Sequence, residues 1–303
     1  MKKIVLAGGT GSLGALLIKA FAEKGWETIV LTRNKAKKST SLVKYMYWDG
    51  KTLGQWAESL VGSFGVINLS GKSIQCRFTA ENKKELYSSR IEPTKVLGEA
   101  ISNMSVKPSI WVNFSGISLF NGLQTLQDEN SNQVGKGFLA DLAQDWEAAC
   151  LGNKIEGVHQ VILRISPVLL PDSGFFAELL PLVKMGLGGQ VGNGKQWMNW
   201  IHYQDLVNLI FWILERKAPS SVYHACTPHP TTNADFMKQF RDVVGISIGL
   251  PLPTLMAKFG AFAKGVDSSL LLDSVPVTTT RTVEEGFVFL YPDAKTSIKQ
   301  LVK

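Results

Sequence analysis

Short, continuous apolar runs alternate with stretches of helical periodicity along most of the chain. Lys3-Ile4-Val5-Leu6-Ala7 has the unbroken hydrophobicity of a strand buried on both faces. Leu13, Leu16, Leu17, Ala20 and Phe21 then recur at helical spacing, with Lys19, Glu23 and Lys24 on the opposite face. Further strands are predicted at 28–32, 45–48, 65–69, 110–114 and 161–165, with helices over 80–102 and 138–149. The polar stretch 128–137 reads as a loop. This alternation predicts an α/β fold, a Rossmann-type doubly wound parallel sheet with helices on both faces.

Beyond Ser166-Pro167 the texture changes. Gly186, Gly188, Gly189, Gly192 and Gly194 precede Trp197-Met198-Asn199-Trp200-Ile201-His202. Glycines beside aromatics suggest a shaped loop near a ligand; the alternative is a rigid hairpin with buried tryptophans. A helix from Asp205 through Leu214 should return to the sheet, followed by a strand at 222–225. Thr232 or Asn233 can cap a helix over 234–243. The tail predicts helical segments at 255–262 and 270–272, a strand at 287–289, and a closing helix capped near Asp293. The expected division is a sheet domain of residues 1–168 and 201–227. The remainder, 169–200 and 228–303, forms a smaller, discontinuous α+β domain on the substrate side.

The chemistry begins at Gly8-Gly9-Thr10-Gly11-Ser12-Leu13-Gly14, between the first strand and the first helix. Glycines let the backbone turn tightly and approach a pyrophosphate, and the helix N-terminus offers unpaired N–H groups. Gly8, Thr10, Gly11, Ser12, Leu13 and Gly14 are the expected phosphate cradle. The spacing is G-x-x-G-x-x-G, and an ordinary strand-to-helix turn is the competing interpretation. At the end of the second strand, an acidic residue would accept hydrogen bonds from the adenosine ribose. Arg33 stands there instead, followed by Lys35, Lys37 and Lys38, with no carboxylate before Asp49. Guanidinium pairs with phosphate, so this pattern favours NADP over NAD, with NADPH preferred to NADH; the alternative is a basic surface loop. Asp49 can cap a helix or meet the adenine edge. Leu69-Ser70-Gly71 provides a small-residue turn for a ribose.

Composition narrows the class. The 303 residues are 45% hydrophobic and 19% charged, ordinary for a globular protein with a sizeable core. Met1-Lys2-Lys3 leads straight into a strand without a signal peptide, and no apolar run is long enough to span a bilayer. Three scattered cysteines fit a reducing cytoplasm, and four histidines without ligand spacing argue against a metal. The net charge of +7 lacks the aromatic interleaving of a nucleic-acid reader. The expected partner is therefore a small molecule, not nucleic acid or membrane; a protein partner cannot be read from the sequence.

The chain resembles the extended short-chain dehydrogenases/reductases, and within them the atypical "epimerase family" proteins of the bacterial YfcH type with a C-terminal domain of unknown function. The resemblance rests on GGTGSLG, LTRN, NLSGKSI at 68–74, SRIEPT around Arg90, FLADLAQDWE at 138–147, TPHPTTNADF and GFVFLYPD. Its most specific part is MGLGGQVGNGKQWMNWIHYQDLV at 185–207. It implies an NADP-binding Rossmann domain with a small domain over its cleft.

The usual chemistry of that group transfers poorly. A Tyr-x-x-x-Lys pair would fall on Leu139 and Ala143, the assisting Ser on Ile117 and the assisting Asn on Arg90. Without the ammonium, no nearby Tyr has its pKa depressed by that route. Paired tyrosines common in the narrower family are Phe120-Asn121 here, and the diphosphate-reading Arg of nucleotide-sugar epimerases falls at Met198-Asn199. The remaining catalytic candidates are Ser115, Ser118 and Arg90, with Ser115 also near the expected nicotinamide. Asn121, Trp197, Met198, Trp200 and His202 are candidates for the substrate cleft. Glu147, His202 and Asp205 are ionisable, but the structural reading is preferred for them: Glu147 ties a helix, and His202 with Asp205 fixes the returning one. Hydride transfer needs only a placed nicotinamide and an acceptor. The expectation is an NADPH-dependent oxidoreductase acting on a small carbonyl compound. A non-catalytic NADP(H) sensor, the class suggested by a cell-division-inhibitor label among relatives, is the alternative, and a nucleotide-sugar epimerase is the weakest reading.

Overall fold

The centre of the molecule is β1 (Lys3–Ala7), whose residues Ile4 to Ala7 have no solvent exposure. In the computed structural model, which describes residues 1–216, 218–219 and 221–302, the chain continues through α1 (Ser12–Glu23), β2 (Glu27–Thr32), β3 (Val43–Tyr47), β4 (Gly65–Asn68) and α2 (Ala80–Ser102). Next come β5 (Ile110–Gly116), α3 (Phe138–Leu151), β6 (His159–Ile165), β7 (Val168–Leu169), α4 (Gly174–Lys184), β8 (Trp197–Met198) and β9 (Ile201–His202). The final elements are α5 (Tyr203–Glu215), β10 (Val222–Ala225), β11 (Thr231–Thr232), α6 (Asn233–Val244), α7 (Thr254–Lys264), α8 (Ser269–Leu272), α9 (Arg281–Glu284) and α10 (Ala294–Leu301).

Seven strands form one parallel sheet in the order β10-β6-β5-β4-β1-β2-β3. The direction of winding reverses between β1 and β4, which pair Leu6 with Ile67 and Ala7 with Asn68. Such a reversal opens a crevice at the carboxyl ends of the strands, where open α/β sheets bind ligands. Alternate residues of β1 serve the two faces. Ile4 and Leu6 pack with Leu17 and Phe21 of α1 and Leu209 and Ile213 of α5. Val5 and Ala7 pack with Leu97 and Ile101 of α2 and Cys150 of α3. A separate core joins Phe176 and Val183 of α4, Phe236 and Phe240 of α6, and Ile298 and Leu301 of α10. Among the described residues no helix is long and apolar enough to cross a membrane.

Helix α2 has the bounds its periodicity predicts, because the Thr79 hydroxyl caps it by accepting from the Asn82 N–H. The third strand instead covers 43–47. The Trp48 N–H still donates to the Thr32 carbonyl of β2, and its ring packs edge-to-face on Trp56 at 5.2 Å. No strand forms at 287–289: Phe287 is buried against Trp212 and Phe289, and side-chain packing takes the place of a ladder. Helix α5 begins at Tyr203 with His202 as its cap, two residues before the Asp205 start expected.

Candidate functional site

The glycine turn joins β1 to α1 in a geometry that excludes side chains. Gly8 has φ +75°, and a Cβ there would lie 2.7 Å from Ser70 Cα. A Cβ on Gly14 would lie 2.2 Å from the Gly9 carbonyl oxygen, so α1 enters the turn by direct backbone contact. A Cβ on Gly11 would meet nothing within 4 Å. Gly11 caps α1 without a side chain, and the first turn holds no acidic residue. The exposed Thr10, Gly11 and Ser12 and half-buried Leu13 therefore present a helix end whose first N–H groups lack a side-chain acceptor. Beneath this end, the Ser70 hydroxyl is buried without a hydrogen-bond partner among the described residues, and its Oγ is 3.0 Å from the Gly8 Cβ position. A cradle open to solvent over an orphaned hydroxyl fits the phosphates and ribose of a dinucleotide.

At the end of β2, Arg33 is exposed. Lys35 sits 4.3 Å over the Tyr47 ring. Asp49, just beyond β3, turns its carboxylate onto its own turn. That carboxylate accepts from Thr52 Oγ1 and from the Thr52 and Lys51 N–H groups. Those bonds, the Thr52 hydroxyl first, lower its pKa to about 2. The strand ends thus carry an exposed Arg33 with no ion pair among the described residues and an Asp49 engaged by its own turn.

The strand ends in the middle of the sheet are fixed by buried amides. Asn68 Nδ2 donates to Asn113 Oδ1 (2.7 Å) and Thr94 Oγ1 (2.9 Å), and Asn68 Oδ1 accepts from the Ser70 N–H. These bonds set the Leu69-Ser70-Gly71 turn, whose Gly71 packs against Arg90: a Cβ there would be 3.0 Å from the guanidinium carbon. Arg90 is itself nine-tenths buried.

Ser115, at the end of β5, donates to Glu147 Oε1 at 2.7 Å. Glu147 on α3 also receives Arg164 Nε and Nη2 of β6, each at 2.8 Å, a bidentate buried pair. Arg164 Nη1 faces His224 Nε2 at 3.4 Å, and His224 Nδ1 faces the Thr278 carbonyl at 2.8 Å. A guanidinium only donates and a carbonyl only accepts, so Nδ1 carries the imidazole proton. Burial lowers the His224 pKa and keeps the ring neutral. Glu129 completes the region, accepting from the Thr279 and Thr282 hydroxyls and from the N–H groups of His224, Thr280 and Arg281. Glu147 therefore ties a helix as expected, but it also holds Ser115. Sequence reasoning missed Arg164, His224 and Glu129. A charged residue inside the apolar run Val161-Ile162-Leu163-Arg164-Ile165 was the available signal.

Leu139 and Ala143, in place of the acid/base pair, are half-buried and buried. The Ser118 hydroxyl donates to the Leu139 carbonyl at 3.3 Å. Asn121 Nδ2 donates to Asp273 Oδ2 (2.7 Å) and to the Lys136 carbonyl, linking the β5 end to the segment after α8.

Two cleft candidates are corrected. Trp200 has no exposure; it packs on Phe236, and its Nε1 faces Ser297 Oγ at 3.3 Å. His202 is 1% exposed, with Nε2 2.9 Å from Gln300 Oε1 and its ring 3.9 Å from that of Tyr291. Desolvation lowers its pKa to about 4. Both are core residues because the tail folds over them. Asp205 does not pair with His202; it accepts from the Leu290 and Tyr291 N–H groups and anchors the same tail. Trp197 and Met198 stay half-buried in β8, paired to β11. The glycine stretch is a rigid backbone pairing: Gly189 and Gly192 donate to Leu250 and Leu252 carbonyls, and a Cβ on Gly189 would lie 2.3 Å from Leu250 O. Among the described residues no group of three or more His, Cys, Asp or Glu side chains is placed to hold a metal ion.

Comparison with known proteins agrees with this geometry. The chain is 30% identical over 307 residues to the chloroplastic epimerase family protein SDR39U1 homolog of Arabidopsis thaliana, covering 99% of this chain and 86% of that one. It is 28% identical to human epimerase family protein SDR39U1, covering 99% of each. The crystal structure of human SDR39U1 (isoform 2) with NADPH superimposes with a TM-score of 0.86 at 27% identity, covering 99% of this chain and 98% of that chain. The profile of the NAD dependent epimerase/dehydratase family matches residues 4–226. An uncapped helix end at the reversal of a parallel sheet, matched over most of its length by that profile, places the chain in the NAD dependent epimerase/dehydratase family.

Proposed function

We propose that this chain binds NADPH at the glycine turn and uses it to reduce a small carbonyl compound. The observation that carries the cofactor is the pairing of an uncapped α1 N-terminus with an exposed Arg33, where the next acidic residue along the chain, Asp49, is engaged by its own turn. The NADPH in the human SDR39U1 structure supports the same reading. Gly8, Gly11, Ser12 and Leu13 would hold the pyrophosphate, Ser70 and Gly71 the ribose side, and Arg33 the 2′-phosphate. When bound, the nicotinamide supplies a hydride.

The protein's own contribution is placement. The Ser115 hydroxyl donates its hydrogen bond to Glu147, so its oxygen can only accept from a ligand. Proton delivery to the product oxygen falls to water, because the half-buried Ser118 hydroxyl already donates to the Leu139 carbonyl. The residues 169–200 and 228–303 form the substrate side in this reading.

A non-catalytic NADP(H) sensor is the second reading, favoured by one observation: Leu139 and Ala143 leave α3 without an acid/base pair. Nucleotide-sugar chemistry is disfavoured because Met198 cannot pair with a diphosphate and Asn199 Nδ2 is engaged by the Val275 carbonyl.

Calorimetric titration with NADPH and NADH, followed by carbonyl compounds scanned through nicotinamide absorbance, tests the reading. Binding of NADPH with oxidation by some carbonyl compound supports the reductase. Binding without turnover across the panel supports the sensor, and failure of both nucleotides to bind overturns both.

A further inference from the structure

Arg90 is a buried cation without a carboxylate partner among the described residues. Nη1 donates to the Leu86 carbonyl (3.1 Å) and Nη2 to the Lys72 carbonyl (3.0 Å), which occupies two of the five N–H groups. Among the described residues no carboxylate lies within ion-pairing distance of it. Burial, opposed only in part by the neighbouring Cys76, pushes its pKa down to about 10. Buried charges are ordinarily paired, because desolvation of a lone ion is costly. The nearby Lys72 ammonium is already bound to Glu85 and Asn82, so the excess here is a single positive charge.

The position of that charge matters. Gly71, packed on the guanidinium, follows Ser70, which underlies Gly8 in the phosphate cradle. Arg90 therefore packs on the loop that touches the glycine turn, on the side of the sheet covered by Trp146 of α3. The Trp146 ring, 5.1 Å away, and the Gly71 backbone crowd the guanidinium, so a ligand meets its N–H edge. That edge matches the two oxygens of a planar carboxylate, and one unpaired positive charge balances one carboxylate.

We propose that Arg90 recognises a carboxylate on the substrate, making the substrate a small carbonyl acid; this rests on the reductase reading above. The rival source of the same charge is a phosphate of the dinucleotide. The test uses oxamate, a non-reducible planar carboxylate, titrated into the NADPH-loaded protein and into the protein alone, with NADPH affinity measured in parallel.

Arg90→Gln should weaken oxamate about tenfold or more while NADPH affinity stays within about threefold. Arg90→Lys keeps the charge and loses the fork, so it should retain weaker oxamate binding even where the Gln variant fails to fold. Oxamate that does not bind the wild type, or binds both variants as tightly, overturns the proposal. A parallel loss of NADPH affinity in Arg90→Gln assigns the guanidinium to the dinucleotide and overturns it too. Absence of NADPH binding by the wild type defeats the reductase reading separately, since oxamate binding to the unloaded protein still reports on Arg90.

Discussion

Ser115 and Glu147 share a buried hydrogen bond of 2.7 Å in which the serine is the donor. A hydroxyl has one proton, and here it is committed to a carboxylate that Arg164 holds from its other side. Ser115 is therefore a held acceptor, and its orientation depends on a pair of residues on α3 and β6.

Removing half of that pair should be severe. Glu147→Ala leaves the Arg164 guanidinium buried without its counter-ion, and urea denaturation should show a loss of about 3–5 kcal/mol. Ser115→Ala removes one hydrogen bond to a charged acceptor and should cost about 1.5–3 kcal/mol. A Glu147→Ala loss no larger than that of Ser115→Ala would refute the assignment.

Arg33→Ala should reduce NADPH affinity about tenfold and leave NADH nearly unchanged, since an exposed guanidinium on a phosphate is partly screened. Equal effects on the two nucleotides would remove Arg33 from the 2′-phosphate.

Gly11→Ala and Gly14→Ala separate the cradle from the fold. A Cβ on Gly14 collides with the Gly9 carbonyl and should lower stability by about 1–3 kcal/mol. A Cβ on Gly11 meets no protein atom, so thermal unfolding should be nearly unchanged while NADPH binding falls. A Gly11→Ala protein that binds NADPH normally would show that the phosphates lie elsewhere.

Acid should weaken the fold before most carboxylates titrate. His202 has a folded pKa near 4, below its unfolded value near 6.5. Between these values the unfolded chain takes up a proton that the folded chain refuses. Stability is thus full above about pH 6.5 and falls progressively towards pH 4. His224, also lowered, acts in the same direction. Glu129, likewise lowered, adds a loss below the usual carboxylate pKa, whereas Asp205, raised, opposes it. Denaturation midpoints measured at intervals from pH 7 to pH 4 should fall less steeply for His202→Gln than for the wild type. Equal slopes would contradict the depressed pKa.

What could be read in advance was local. The span of α2, the cap at Thr232 and the closing cap at Asp293 all follow from residues within one helical turn. The glycine turn was legible because strand, turn and helix are contiguous. Trp200 and His202 misled because an aromatic beside glycines looks the same in sequence whether or not a distant segment covers it. Their partners, Ser297 and Gln300, lie nearly a hundred positions away. Glu129 sat unnoticed in a polar loop for the same reason, its acceptor role depending on residues 279–282.

Trp200, His202 and Asp205 all take partners from residues 290–300. A chain still emerging from the ribosome holds these three groups long before it holds their acceptors and donors. The face of α5 that packs on β1 and α1 has its partners already made, whereas these three groups have theirs only in that later segment. Residues 290–300 are thus a late-made keystone: a protease that trims them would release a buried carboxylate, an indole N–H and an imidazole at one stroke.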